Sequence, residues 1–333
     1  MQAVVIESPG DISIAEMEDP TPGPQDIVVA VRACGICGTD IHLADGEFTA
    51  AHYPLVPGHE FAGEVVAVGK EVSSLRPGAL VAVDPSLYCG HCRPCRSGHG
   101  NLCENWNAVG VSVPGGAAEF VAVPDWNAHP LPPGFDMSLG ALIEPLSCAV
   151  HGYDLITTKL ADRFLVYGAG TMGLMLLLLA SRSGAISVTV VEPNPARRER
   201  ALSFGATTVV ARGDELDSPK GYDVVIDATG VIAAIEDGIP RVRRGGIFLQ
   251  FGVAAPDARA SISPYRIYND EITVVGAMAV LESYDRACDL AIEADLGLLR
   301  LVSDQLPLGA YVDALDRARR GEGYKIHVLP GIR

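Results

Sequence analysis

Two groups of residues in this chain have the types and spacing to bind metal. Cys89, Cys92, Cys95 and Cys103, within "YCGHCRPCRSGHGNLC", follow C-x2-C-x2-C-x7-C and account for half of the eight cysteines. Four thiolates satisfy the tetrahedral preference of zinc and leave no coordination position open, so this lobe reads as a closed, structural site. An iron–sulfur cluster would accept the same four thiolates, and redox-active cysteine pairs are a third reading. His91 and His99 lie inside the lobe but are surplus to a complete thiolate set. The second group is sparser: "ACGICGTDIH" supplies Cys34, Cys37, Thr39, Asp40 and His42, "PGHEFAG" supplies His59 and Glu60, and "LIEPLSCAVHG" adds Glu144. One Cys, one His and carboxylates with room for water make an open site, at which a dication can act as a Lewis acid. Taken singly, each of these residues has a bland reading as a surface or satisfied side chain. It is the set that argues for a metal.

A third motif points to a nucleotide. "GAGTMG" matches G-x-G-x-x-G through Gly168, Gly170 and Gly173, with Thr171 and Met172 between them. It follows the apolar run "DRFLVY" and opens the apolar run "GLMLLLLA", the strand–turn–helix context that a dinucleotide fold requires. Gly168 serves the turn, Gly170 the approach of a pyrophosphate, and Gly173 the packing of helix on strand. The helix N-terminus then offers free amides and a positive dipole end to phosphate. Glu192 closes the next strand pattern, where a carboxylate can bond the adenosine ribose diol and repel a 2′-phosphate. That favours NAD. Arg197 and Arg198 lie near enough to receive a 2′-phosphate, so NADP stays open.

The surrounding elements fall into two textures. The first 130 or so residues carry short β-branched runs punctuated by Gly and Pro ("DIVVAVRA", "FAGEVVAVG", "ALVAVDP", "AEFVAVP"), which read as an antiparallel, partly closed β-rich domain. From about residue 147, strand and helix patterns alternate: "DRFLVYGAG", "TMGLMLLLLASRSGA", "ISVTVVEP", "NPARRERALSFGA", "TTVV", "GYDVVIDATG", "IAAIEDGIPRVRRGG", "IFLQFGV" and "ITVVGA". This predicts βαβ units about a parallel sheet. The last fifty residues read helix, short strand, helix, strand, and are expected to pack back on the first domain. The 333 residues are ample for two domains, and 48% apolar with 20% charged residues is a core-forming composition. A net charge of −16 opposes nucleic acid and anionic membranes as partners. No apolar run is long enough to span a bilayer, and "MQAVVIESPG" lacks a secretory pattern, so a cytoplasmic protein with small-molecule partners is expected. Cys148 and Cys288, in apolar helical patterns, read as small core residues.

"CGICGTDIH", "PGHEFAGEVVAVG", the four-cysteine lobe, "EPLSCAVHG" and "GAGTMG" together resemble the zinc-containing medium-chain dehydrogenases, in particular the polyol branch typified by sorbitol dehydrogenase. The likeness covers essentially the whole chain. It implies an α/β protein of two domains: a GroES-like β-rich catalytic domain with a zinc lobe over 1–146, a Rossmann doubly wound parallel sheet over 147–282, and a return to the catalytic domain over 283–333. It also implies two zinc ions per subunit. One would be held by Cys37, His59 and Glu60, with Glu144 binding the metal or its water, and the other by Cys89, Cys92, Cys95 and Cys103. Asp40 would bond His59, while Thr39 and His42 match the family's proton relay. Cys34 matches no ligand position. The activity implied is reversible transfer of hydride between a secondary hydroxyl of a polyol or sugar alcohol and NAD, with NADP the other cofactor open, in a homodimer or homotetramer. An L-threonine-type amino-alcohol dehydrogenase is the nearest alternative, and a zinc-ribbon binding protein a remote one. One departure stands out: Ala279 and Val280 occupy the place of an Arg-Tyr pair that contacts polyol in sorbitol enzymes.

Overall fold

The computed structural model describes residues 1–48 and 51–331, which form two compact units, Met1–Ser147 with Val280–Arg333 and Cys148–Ala279.

The first unit is built on the strand Asp26–Gly35, whose sequence DIVVAVRACG is apolar nearly throughout. β-branched residues suit a strand buried on both faces, and Ile27, Val29, Val31 and Cys34 all lie in the core. One edge of this strand pairs antiparallel with Glu60–Val68, from Ile27 opposite Val68 to Gly35 opposite Glu60. The other edge is shared: Phe120–Pro124 pairs with its first half, and Lys325–Leu329 with Cys34 and Gly35. The chain therefore returns, after the second unit, to complete the sheet of the first. Val302–Pro307 extends the sheet beyond Lys325–Leu329, and Leu80–Val83 and Ala128–Leu131 extend it on the far side. The returning helix Tyr311–Arg319 buries Tyr311, Ala314 and Leu315, the i, i+3, i+4 set that forms one helix face.

The second unit is a six-stranded parallel sheet. Its strands are ordered Thr208–Val210, Ser187–Val191, Arg163–Tyr167, Tyr222–Asp227, Val242–Gln250 and Thr273–Gly276. Numbered along the chain this is 3-2-1-4-5-6, the doubly wound dinucleotide-binding order, with its switch point beside the first strand. The molecule is thus α/β, with a β-rich unit and a Rossmann unit. One boundary differs from the sequence pattern. The run "IAAIEDGIPRVRRGG" reads as a helix, but the helix stops at Gly238 and a single short turn leads into the strand Val242–Gln250. Pro240 removes a backbone donor and disfavours helix in the residue before it. The strand also passes through a register irregularity opposite Tyr222–Val224, so Val242–Gly246 lack the alternation that identifies a strand.

Candidate active site

Cys37 ends the approach from the core strand and caps the helix Gly38–Asp45. The carboxylate of Asp40 accepts the Cys37 amide at 2.8 Å, a reciprocal cap that fixes where the thiol sits. The other oxygen of Asp40 lies 3.9 Å from His59 Nδ1, within ion-pairing range but too long for a hydrogen bond. Asp40 is fully buried, and burial raises its pKa against the lowering pull of His59. His59 leads directly into the strand Glu60–Val68. Glu60 faces Gly35 across the sheet, where any Cβ would come 2.3 Å from Glu60 Oε2. A glycine is thus required for the carboxylate to lie there.

These elements bring the ligand atoms of Cys37, His59 and Glu60 within 4.8 Å of one another. The donor set fits a zinc ion. A thiol, an imidazole and a carboxylate converge in a buried place, and His59 Nδ1 is buried without a hydrogen-bond partner among the described residues. Burial alone would lower the pKa of His59, but its bond to Cys37 and the charges of Asp40, Cys37 and Glu144 hold it well above the usual value. Such a surplus of negative charge suits a dication. Glu144 lies in the first turn of the helix Ile143–Asp154, buried and close enough for its charge to act on His59, but outside the compact trio. Thr39 is half-buried, with Oγ1 3.9 Å from Cys37 Sγ. His42, three residues on along the same helix, is exposed and its Nδ1 is 2.7 Å from Glu47 Oε2. Cys34 is buried in the core, and burial followed by Asp40 and Glu60 keeps its thiol protonated.

The four thiols of the lobe also converge, with all of Cys89, Cys92, Cys95 and Cys103 within 4.8 Å of one another and none in a disulfide. Backbone amides point at the sulfurs: Cys92 N at Cys89 Sγ, 3.4 Å, and Cys89 N and Asn105 N at Cys103 Sγ, both 3.3 Å. Amides of His91 and Cys92 pull Cys89 down to about 6, whereas burial and the neighbouring thiols push Cys95 up to about 12. Four adjacent thiols cannot all ionise without a cation, and the set fits a closed zinc site. Of the two remaining cysteines, Cys288 is buried and pushed up to about 12 by that burial, and then by Asp285 and Asp289.

In the second unit, Gly168 turns the chain at φ 94° after the strand Arg163–Tyr167, and a Cβ on Gly173 would lie 2.1 Å from Gly168 O. The helix Thr171–Arg182 starts at Gly170 with no side-chain cap at that residue, and the N-terminus of a helix is the place that suits a phosphate. Thr171 and Met172 form its half-buried first turn. Glu192 is buried; its Oε2 accepts Ala169 N and its Oε1 accepts Asn194 N, both at 2.9 Å. Arg198 donates to the carbonyls of Glu192 and Pro193, while Arg197 is half-buried in the same helix, Pro195–Ser203.

Three residues not identified from the sequence shape these sites. Lys325, from the final strand, is buried and donates to both oxygens of Glu60, at 2.5 and 2.8 Å, and to Ile36 O at 3.1 Å. Tyr311 is fully buried, and its pKa is raised by burial and then by the charge of Asp40. Asp227 ends the fourth strand of the parallel sheet and organises the next loop through Thr229, Gly230 and Gln250. A signal for Lys325 existed in "YKIHVLP", since a lysine inside an apolar strand must be paired if it is buried. At the position of the departure noted in the sequence, Ala279 has φ 52° and Val280 is 3% exposed, and neither has a polar side chain.

Residues 23–133 match the alcohol dehydrogenase GroES-like domain family and residues 171–293 the zinc-binding dehydrogenase family. The chain is 35% identical over 341 residues to D-arabinitol dehydrogenase 1 of Uromyces fabae, covering 99% of this chain and 97% of that protein. It is 36% identical over 313 residues to D-altritol 5-dehydrogenase of Agrobacterium fabrum, covering 92% and 93% respectively. Among solved structures, a putative zinc-binding dehydrogenase from Sinorhizobium meliloti bound to NADP superposes with a TM-score of 0.94 at 36% identity, over 99% of both chains. The chain belongs to the zinc-binding alcohol dehydrogenase family, the medium-chain NAD(P)-dependent oxidoreductases, and within it is similar to the polyol dehydrogenases.

Proposed function

We propose that the protein oxidises a secondary hydroxyl of a polyol or sugar alcohol to a ketone, reversibly, with NAD as acceptor. The convergence of Cys37, His59 and Glu60, separate from a complete four-thiol set, carries this reading. A metal centre with both a thiolate and a carboxylate suits activation of an alcohol, and the two polyol-acting relatives support the substrate class. A zinc ion at this centre would supply Lewis acidity to a substrate hydroxyl, and a bound nicotinamide dinucleotide would supply the hydride acceptor. Cys37, His59, Glu60 and Glu144 are the residues that would hold the metal, with Asp40 fixing the Cys37 cap and placing its charge 3.9 Å from His59 Nδ1. Thr39 would relay the hydroxyl proton, giving up its own as it accepts the substrate's, towards His42, which is exposed and hands it to water. Gly168, Gly170, Thr171, Met172 and Gly173 cradle the pyrophosphate, and the carboxylate of Glu192 takes the ribose diol. Because the Sinorhizobium relative was solved with NADP, both cofactors belong in the test.

The decisive experiment measures zinc content by elemental analysis, then reduced-cofactor absorbance on a panel of pentitols, hexitols, diols and L-threonine with each cofactor. Two zinc ions per chain and turnover of polyols are expected. Turnover of L-threonine alone would replace polyol with amino alcohol, and activity that survives complete removal of zinc would refute the mechanism.

Assembly as a homodimer or homotetramer is also proposed. Thr273–Gly276 forms the open edge of the parallel sheet and Val274 is 46% exposed, which suits edge-to-edge pairing of two copies. Light scattering tests this, a monomer mass refuting it. A cytoplasmic location agrees with eight cysteines that form no disulfide, and fractionation would check it.

A further inference from the structure

The closest buried contact at the metal centre is made by a residue that is not a ligand. The side chains of Glu60 and Lys325 are 1% and 4% exposed, and Lys325 Nζ reaches both carboxylate oxygens of Glu60 and the carbonyl of Ile36. Three acceptors use all three N–H donors of an ammonium group. The same carboxylate lies within 4.8 Å of the donor atoms of Cys37 and His59, so it stands between two cations once a dication binds. Lys325 comes from the returning strand, 265 positions from Glu60, and reaches its partner only when that strand pairs with Cys34 and Gly35.

A count of charge gives this contact a purpose. Counting only the groups that would hold the metal, a dication with Cys37, Glu60 and Glu144 ionised and His59 neutral sums to −1, and Lys325 offsets that surplus. Three anionic donors would also quench much of a metal's Lewis acidity and fill its coordination sphere. Holding one of them on an ammonium group leaves a position open, which a catalytic zinc site requires.

We propose that Lys325 is a positioning residue that draws Glu60 away from full donation to the metal, and so keeps a coordination position free for the substrate hydroxyl. This rests on the assignment of Cys37, His59 and Glu60 as ligands. The test uses the two-zinc holoenzyme, with zinc affinity measured by chelator competition and coordination followed by the visible spectrum after cobalt exchange. In Lys325→Met, Glu60 loses its ammonium partner and turns onto the metal. Zinc at this centre should bind at least ~10-fold tighter, the size typical of changes in the groups that orient metal ligands. The cobalt spectrum should change, and kcat should fall with KM for the cofactor unaltered. In Lys325→Met/Glu60→Gln, affinity and spectrum should return close to those of the parent. Unchanged or weaker zinc binding in Lys325→Met, or a double variant that stays tight, overturns the proposal. If Lys325→Met does not fold, the comparison moves to Glu60→Gln with and without Lys325→Met. Here the unpaired ammonium group repels the dication, so the double variant should bind zinc about tenfold tighter than Glu60→Gln, and equal affinities overturn the proposal. A parent with one zinc, or Cys37→Ser with two, refutes the ligand assignment and this proposal together. Two zinc ions with an affinity insensitive to Lys325 refutes only the role of Lys325.

Discussion

The carboxylate of Glu192 accepts the amide of Ala169, in the middle of the glycine-rich turn, at 2.9 Å. Its second oxygen is taken by Asn194 N, so the group is fixed and buried at the end of the strand Ser187–Val191. A fixed negative charge beside the turn accepts a ribose diol and opposes a 2′-phosphate. Replacing Glu192 by Ala should lower kcat/KM for NAD by roughly 10–100-fold, the scale of a hydrogen bond to a charged group. The NADP/NAD ratio should rise, with Arg197 then able to receive the phosphate. Steady-state kinetics with both cofactors would check this, and an unchanged ratio would show that Glu192 does not set the preference.

What could be read from the sequence was local. The strand Arg163–Tyr167, the turn and the helix Thr171–Arg182 lie within twenty residues, and their apolar runs and glycines state the geometry directly. The α/β class followed from alternation alone. For Lys325 the apolar strand pattern signals only that a buried lysine needs a partner; the partner itself lies 265 positions away and is not local. Tyr311 is similar: only the packing of a returning helix brings it beside Asp40. Asp227 looked like one more strand end in "GYDVVIDATG", and its four-donor network appears only when Gln250 arrives on the next strand.

His327 is wholly buried in the final strand, and neither ring nitrogen has a hydrogen-bond partner among the described residues. Burial, then the charge of Lys325, pushes its pKa down to about 3. An unfolded histidine titrates near 6.5. Between those values the unfolded chain holds one more proton than the folded one, so stability falls as pH falls, by about 1.4 kcal/mol per unit, and is unaffected above about 6.5. Relative to the parent, His327→Leu should therefore lose about 2 kcal/mol less stability between pH 6.5 and pH 5. Urea unfolding at the two pH values measures this. Parallel losses in parent and variant would mean that His327 does not govern the acid sensitivity.

The lobe around Cys89, Cys92, Cys95 and Cys103 contains Gly90, Gly98 and Gly100 and has few apolar residues to order it. A closed thiolate site would supply that order. Cys95→Ser should release one zinc per chain and lower stability by at least about 1 kcal/mol, a Tm loss of roughly 2–4 °C or more. The rate of turnover per zinc retained at the other centre should stay near that of the parent. Elemental analysis, calorimetry and kinetics together check this. Loss of turnover with the fold and the second zinc intact would place the lobe in the chemistry.

Thr39 and His42 lie three residues apart on one helix, so they share a face. Thr39 Oγ1 lies 3.9 Å from the Cys37 thiol, while His42 is exposed and held by Glu47. One residue therefore stands at the metal centre and the other at solvent. Thr39→Val keeps the shape without the hydroxyl, and should reduce kcat by about 10²–10⁴-fold, the usual worth of a positioned proton carrier. Zinc content should not change, and Thr39→Ser should retain most of the rate. His42→Ala should cost less, because a group in contact with water can be replaced by buffer, and added imidazole should restore its rate. Imidazole should not rescue Thr39→Val, since the missing step is beside the metal and out of reach of bulk base. Equal rescue of both variants would mean that the proton leaves by a path that does not pass through Thr39.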